Sequence, residues 1–138
     1  MKAISIKQPW ASLIVHGIKP IENRTWKCPE KYIGQRVFVH ASAKNAGEYE
    51  YLLNDNQKNS VMAYGWTHGL DSYKDLYINS GSIIGSAVIK DCVVNHPSIW
   101  AEKTPLYNDF CKGCHCPNYI EWDYMGKRIS WRSKWMKR

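Results

Sequence analysis

Residues 83–94 are the most strand-like run of this chain: Ile83, Ile84, Val88, Ile89, Val93 and Val94 supply β-branched side chains almost throughout, and Gly85 offers a place for a bulge. The run Arg36-Val37-Phe38-Val39-His40-Ala41-Ser42 has the same character, and Ile33-Gly34-Gln35 before it reads as a turn. Lys2 to Ile6 reads as a shorter strand with Ile4 and Ile6 on one face. The segment between these strands is punctuated. Pro9 is suited to open a helix because it has no N–H to lose there, Trp10, Leu13 and Ile14 recur at helical spacing, and Gly17 is a natural stop. Ile21 to Trp26 reads as a further strand or an extended loop, and Lys27-Cys28-Pro29-Glu30 breaks it. Short strands with interleaved short helices specify an α+β, barrel-like domain rather than a βαβ sheet.

Other segments are less regular. Ala46, Tyr49, Leu52 and Leu53 predict one amphipathic helix, residues 54–60 read as a solvated loop, and Asp71 is placed to cap a short helix running to Tyr77. Near the end, Gly126-Lys127 is expected to turn a hairpin between residues 119–124 and 128–131. There is no internal repeat, low-complexity tract or linker, so residues 1–138 are expected to form a single domain, with an insert at about 43–80 and a Cys-rich loop at about 102–118.

The 138 residues suffice for one core. No apolar run approaches the roughly 20 residues of a membrane helix, and Lys7, Gln8 and Pro9 interrupt the opening where a signal peptide would need an apolar stretch. The expected partners therefore do not include a membrane, and the expected location is cytoplasmic. The net charge is +7, from 19 Lys and Arg against 12 Asp and Glu, which favours polyanions, although much of the excess sits in the last dozen residues. Seven Trp and nine Tyr accompany only two Phe; flat rings with a polar handle suit base stacking and also suit a core. Five Cys in a chain with no export signal point to reduced thiols.

The opening sequence Ile4-Ser5-Ile6-Lys7-Gln8-Pro9-Trp10-Ala11, the pattern Gly-x-Lys-x-x-Glu-x-Arg met by Gly17, Lys19, Glu22 and Arg24, the strand ending Val39-His40-Ala41-Ser42, the run 84–93 and Trp100 together resemble the ASCH domain family (activating signal cointegrator homology) of the PUA-like superfamily. The resemblance covers roughly residues 3–42 and 82–101. It implies a small PUA-like β-barrel of five to six strands flanked by short helices, with a cleft between barrel and helices. It also implies a role with RNA or modified nucleotides, as a binding module or as a hydrolase. Fold analogy does not choose between these.

The residues of that cleft can also be read directly. Glu22 and Arg24 are two apart on an extended segment and share a face, and Lys19 lies close after the Gly17 stop. This cluster offers two cations for a phosphate or base edge and one carboxylate that orients them, accepts from an exocyclic amine, or serves as a general base. A plain surface ion network has the same spacing. If the chain is an enzyme, Lys19 and Glu22 are the catalytic candidates. Glu22 stands where an acyl-cytidine amidohydrolase of the superfamily would carry a Thr nucleophile, and a carboxylate is a poor substitute for that hydroxyl. The expected ligand-binding set is Gln8, exposed at the cleft mouth, with Lys19, Glu22, Arg24, Trp26, His40 and Ser42. His40 and Ser42 alternate on one strand face, and Trp26 either stacks a base or closes the barrel end. Cys111, Cys114 and Cys116 with His115 contain one C-x-x-C, but a tetrahedral zinc site would need Cys92 or His96 to complete it, and the second C-x-x-C of a strong zinc pattern is missing. Neither a metal nor a cofactor is expected.

Overall fold

The structure, a computed structural model, describes residues 2–94, 96–102 and the backbone of 129–137. Five strands, β1 (Ala3–Lys7), β2 (Ile21–Arg24), β3 (Arg36–Ser42), β4 (Ser82–Val94) and β5 (Ile129–Lys137), make one sheet in the order β1-β3-β4-β5-β2. β1 pairs with β3 in parallel and the other three pairings are antiparallel. The helices are α1 (Trp10–Val15), α2 (Tyr49–Leu52) and α3 (Asp55–His68), and 3₁₀ turns occupy Glu30–Tyr32 and Tyr73–Tyr77. The α+β class expected from the sequence is present. A closed barrel is not shown: β1 and β2 are the two ends of the strand order, with no pairing between them among the described residues.

The sheet nevertheless curls. Helix α1 lies against all five strands, although six residues of helix extend only about 9 Å and five flat strands would spread over about 19 Å. Only a sheet wrapped around the helix brings every strand within reach. α1 is accordingly buried from Ala11 to Val15. Its Ala11, Ile14 and Val15 pack with Ile6, Val39, Ala41 and Ala87 on one side. Leu13 joins Ile18, Ile21, Leu53, Val61, Leu76 and Trp100 on the other. On β3, Val37, Val39 and Ala41 face the core, while Arg36, Phe38, His40 and Ser42 alternate outward. The irregularity expected near Gly85 is present, because the β3–β4 register steps from Val39–Gly85 to His40–Ile83 and skips Ile84.

Three local expectations are corrected. Residues 54–60 are not a solvated loop. Asn54 caps α3, accepting from the Gln57 amide while the Gln57 side chain accepts from the Asn54 amide. This capping box starts a helix whose polar composition conceals it. The amphipathic helix expected around 46–53 shrinks to the single turn of α2. The cap of the turn ending at Tyr77 is Ser72, one residue later than Asp71, and Asp75 completes its box. The first arm of the expected terminal hairpin and its turn lie outside the described residues. Residues 129–131 of its second arm fall within β5, which runs on to Lys137 and pairs with both β4 and β2. No helix among the described residues is long and apolar enough to cross a membrane.

Gln8 holds these pieces together. It is fully buried, and its Oε1 accepts from the Ser12 amide at 2.9 Å while its Nε2 donates to the Ile78 carbonyl at 3.0 Å. Pro9 occupies the position before α1 without a capping side chain, so Gln8 supplies from one residue further back the acceptor that a cap would provide. Its own carbonyl accepts from Ala46. The expectation of an exposed Gln8 at a cleft mouth is overturned: solvent has no access to this side chain. Gln8→Ala leaves the Ser12 N–H and Ile78 C=O without partners and opens a small void. Thermal or urea denaturation should show a loss of about 2–4 kcal/mol.

Candidate functional site

α1 ends where Gly17 adopts a φ of +80°, a left-handed turn that suits glycine. The amides of Ile18 and Lys19 both donate to the Leu13 carbonyl, at 3.0 Å each. This folding-back turns Lys19 inward, leaving it 3% exposed. Its Nζ donates to the Ile21 carbonyl, lies 3.5 Å from Glu22 Oε2 and sits 5.4 Å from the centre of the Trp10 ring. Burial pushes the Lys19 ammonium below the ordinary lysine range, and the neighbouring Glu22 carboxylate partly restores it. Glu22 in turn faces Arg24, whose Nε lies 3.0 Å from Glu22 Oε1 as a charge contact without hydrogen-bond alignment. Arg24 Nη2 then donates to the Ser5 carbonyl at 2.9 Å. The three side chains therefore converge, as their spacing predicts, and Arg24 ties β2 to β1 across the two ends of the strand order.

Their cations are largely spent, however. A phosphate approaching the cluster would meet an ammonium engaged with Ile21 and Glu22, and a guanidinium engaged with Glu22 and Ser5. What the cluster leaves accessible is a small cavity of about 270 Å³ lined by Trp10, Lys19, Glu22, Asn23, Leu52, Gln57, Trp100 and Glu102. Asn23 is anchored there by donating to the Trp100 carbonyl and accepting from the Glu102 amide, both at 3.0 Å. Gln57 donates to the Ile99 carbonyl at 2.9 Å. These bonds fix the segment 99–102 over β2 and α3.

Asn23, Gln57, Trp100 and Glu102 were not among the expected site residues. Trp100 carried only a family signal, and no local pattern marks the others, since their neighbours come from 42 to 79 residues away. Conversely, Trp26, His40 and Ser42 do not line this cavity. Trp26 is 51% exposed beyond the end of β2. His40 lies on the outward face of β3, where its Nδ1 is 3.1 Å from Ser5 Oγ, and Ser42 pairs in register with Lys7 on the same face.

Cys111, Cys114, Cys116 and His115 lie outside the described residues. Cys92, one of the two alternatives for completing a zinc site, accepts from the Cys28 amide at 3.2 Å, and burial pushes both thiols up. His96 Nδ1 accepts from the Ser98 amide. Among the described residues no three His, Cys, Asp or Glu side chains are grouped to hold a metal.

The model of the ASCH domain family matches residues 4–131 of the chain. Activating signal cointegrator 1 of Homo sapiens is 32% identical over 90 residues, which cover 65% of this chain and 14% of that protein. The Mus musculus protein of the same name is 31% identical over the same shares. The chain thus spans about one seventh of the length of the curated relatives it matches.

The buried ammonium makes stability depend on pH with a definite sign. Between the lowered pKa of folded Lys19 and its ordinary value of 10.5, the unfolded chain binds the extra proton, so raising pH through that window adds stability. The raised thiols of Cys28 and Cys92 and phenols of Tyr49 and Tyr77 act oppositely in the alkaline range. The comparison that isolates Lys19 is the parent against Lys19→Met. The stability difference between them, from urea titrations at increasing pH, should move in the parent's favour as pH rises through the window.

Proposed function

Because this chain belongs to the ASCH domain family, we propose that it binds single-stranded RNA or a modified nucleotide and takes one nucleobase into the cavity lined by Trp10 and Trp100. The observation that carries this reading is the lining itself. Trp10 and Trp100 are among the residues that line a space of about 270 Å³, just below the ~300–1,000 Å³ of sites for drug-sized molecules, and therefore of a size for one planar ring system. Base stacking on an aromatic side chain contributes roughly 1–3 kcal/mol. The polar part of the lining favours a ligand that donates. Lys19 and the side-chain amides of Asn23 and Gln57 spend their hydrogen bonds internally, whereas Glu22 and Glu102 bring carboxylate oxygens, each able to accept more than one hydrogen bond, to the wall. An exocyclic amine of cytosine, adenine or guanine meets such acceptors, and uracil offers none.

The other reading, a hydrolase acting through Lys19 and Glu22, has less support. Each oxygen of Glu22 already faces a cation, Oε2 toward Lys19 and Oε1 toward Arg24. The carboxylate is thereby set to orient those cations rather than to collect a proton.

The test is binding of short oligo-C, oligo-A and oligo-U at one salt concentration, with Glu22→Gln as the variant. The parent should prefer the amine-bearing oligomers over oligo-U. The variant should lose most of that preference, because a charge-assisted bond of about 1.5–3 kcal/mol is replaced by a weaker neutral one. The ratio of affinities is the readout, since a general loss of stability lowers both arms together. Equal affinity of the parent for all three would sink the base-pocket reading. RNA cleavage by the parent that Glu22→Gln abolishes at unchanged affinity would favour the hydrolase.

A further inference from the structure

A second concave surface lies at the start of β1 and β3, where Lys2, Lys31, Tyr32, Gln35, Arg36 and Val37 line a space of about 520 Å³. Three of those six residues are cationic and none is acidic. Lys2 and Lys31 are exposed, Arg36 is half-buried, and none of the three forms an ion pair among the described residues. This is the reverse of the Lys19 cluster, where each cation is matched by the same carboxylate. The cations here are also positioned. Lys31 Nζ sits 5.1 Å from the centre of the Tyr32 ring, which draws its stem along the wall of the hollow. Arg36 Nη1 donates to Ser86 Oγ at 3.2 Å on the neighbouring strand, which fixes the plane of the guanidinium and leaves its remaining N–H groups for a ligand. The turn that carries Gln35 is bonded to β4 in both directions: Gly34 N–H donates to the Ile89 carbonyl, and Ile89 N–H to the Gln35 carbonyl. Neither β1 nor β3 carries an Asp or Glu.

We infer that this hollow is a phosphodiester-binding site, in which Lys2, Lys31 and Arg36 hold the backbone of a single-stranded RNA beside the half-buried Tyr32 ring. The inference uses the RNA-binding reading for its ligand, but it does not depend on the base cavity. Unpaired cations in a concave surface suit a polyanion, and the planar fork of Arg36 matches two phosphate oxygens. Lys2 of this hollow precedes β1, and Trp10 of the base cavity follows it. From Lys2 to Gln8, where the chain enters α1, six extended residues span about 20 Å, and a stacked strand at 3.4 Å per nucleotide covers that distance in about six nucleotides. An eight-nucleotide strand is therefore long enough to cover that separation.

The experiment measures the affinity of an eight-nucleotide single-stranded RNA against salt concentration, for the parent, for Lys2→Ala/Lys31→Ala, and for the triple variant that adds Arg36→Gln. Each phosphate contact to a single strand contributes about 0.7 to the slope of log K against log salt, so the triple variant should lose about 2 from that slope. The double variant, whose two residues are exposed and outside the core, should lose about 1.4 with unchanged melting temperature. The preference for amine-bearing bases should persist in both. In parallel, inorganic tripolyphosphate should shift the amide resonances of Tyr32, Gln35 and Arg36. Those shifts together with a reduced slope support the phosphate site. An unchanged slope in a folded triple variant overturns it, as does tripolyphosphate that leaves these amides unmoved. Tripolyphosphate shifts at these amides in a parent with no base preference would sink the base cavity and leave the phosphate site standing. If the parent binds phosphatidylserine vesicles but no RNA, the RNA assignment of this hollow is overturned.

Discussion

The structure depends on the Glu22 carboxylate being where it is. Lys19 places an ammonium in the interior at a desolvation cost of several kcal/mol unless it is paired. The partners that offset this cost are the Ile21 carbonyl and Glu22, with the Trp10 ring beside them. Glu22 also holds Arg24, and Arg24 donates to the Ser5 carbonyl on β1. One carboxylate thus stabilises a buried cation and, through a second one, joins the two ends of the strand order. Replacing the set by apolar residues need not cost stability, but removing one member leaves a buried charge uncompensated. The Gly-x-Lys-x-x-Glu-x-Arg spacing is intelligible in these terms. Gly17 permits the left-handed turn that points Lys19 inward, and strand alternation puts Glu22 and Arg24 on one face beside it.

Much of this was legible from local pattern. β1, β3 and β4 carry β-branched residues in runs bounded by Pro or Gly, and α1 lies between Pro9 and Gly17, so each is specified by its own residues. Convergence of Lys19, Glu22 and Arg24 followed from spacing of two and three residues. The elements that were not legible fail for identifiable reasons. α3 buries only Val61, so there is no apolar stripe to detect and its polar first turn resembles a loop. The remaining cue was Asn54 three residues before Gln57. Gln8 looks solvent-facing because a polar residue before a helix ordinarily is, and its burial depends on Ile78, 70 residues away. The cavity walls contributed by Gln57, Trp100 and Glu102 likewise reflect tertiary packing that no short window contains.

The closing of the cavity also shows why the ion cluster alone misleads. Read as spacing, Lys19 and Arg24 are two cations ready for phosphate. In the fold they are donors already committed, and the cavity beside them carries the carboxylates of Glu22 and Glu102 and is lined in part by Trp10 and Trp100. A charged cluster predicts what will be attracted only after its internal partners are subtracted, because an ion paired at about 3 Å in a low-dielectric setting presents little field to a third group.

Applied to the whole described surface, that subtraction separates two kinds of positive charge. Lys19 and Arg24 serve the fold, and two carboxylates, Glu22 and Glu102, offset their charge; in the proposed reading that balance suits discrimination between ring edges, where hydrogen-bond direction matters more than charge. Lys2, Lys31 and Arg36 face no carboxylate across their hollow, so their field extends outward and suits a ligand recognised by its charge. Phosphate contacts position a strand and base contacts specify it. These tasks ask for opposite electrostatics, since a strong local field would favour any anion at the place where a base is to be chosen. In the proposed reading the two tasks are separated along the chain by β1, since Lys2 precedes that strand and Trp10 follows it.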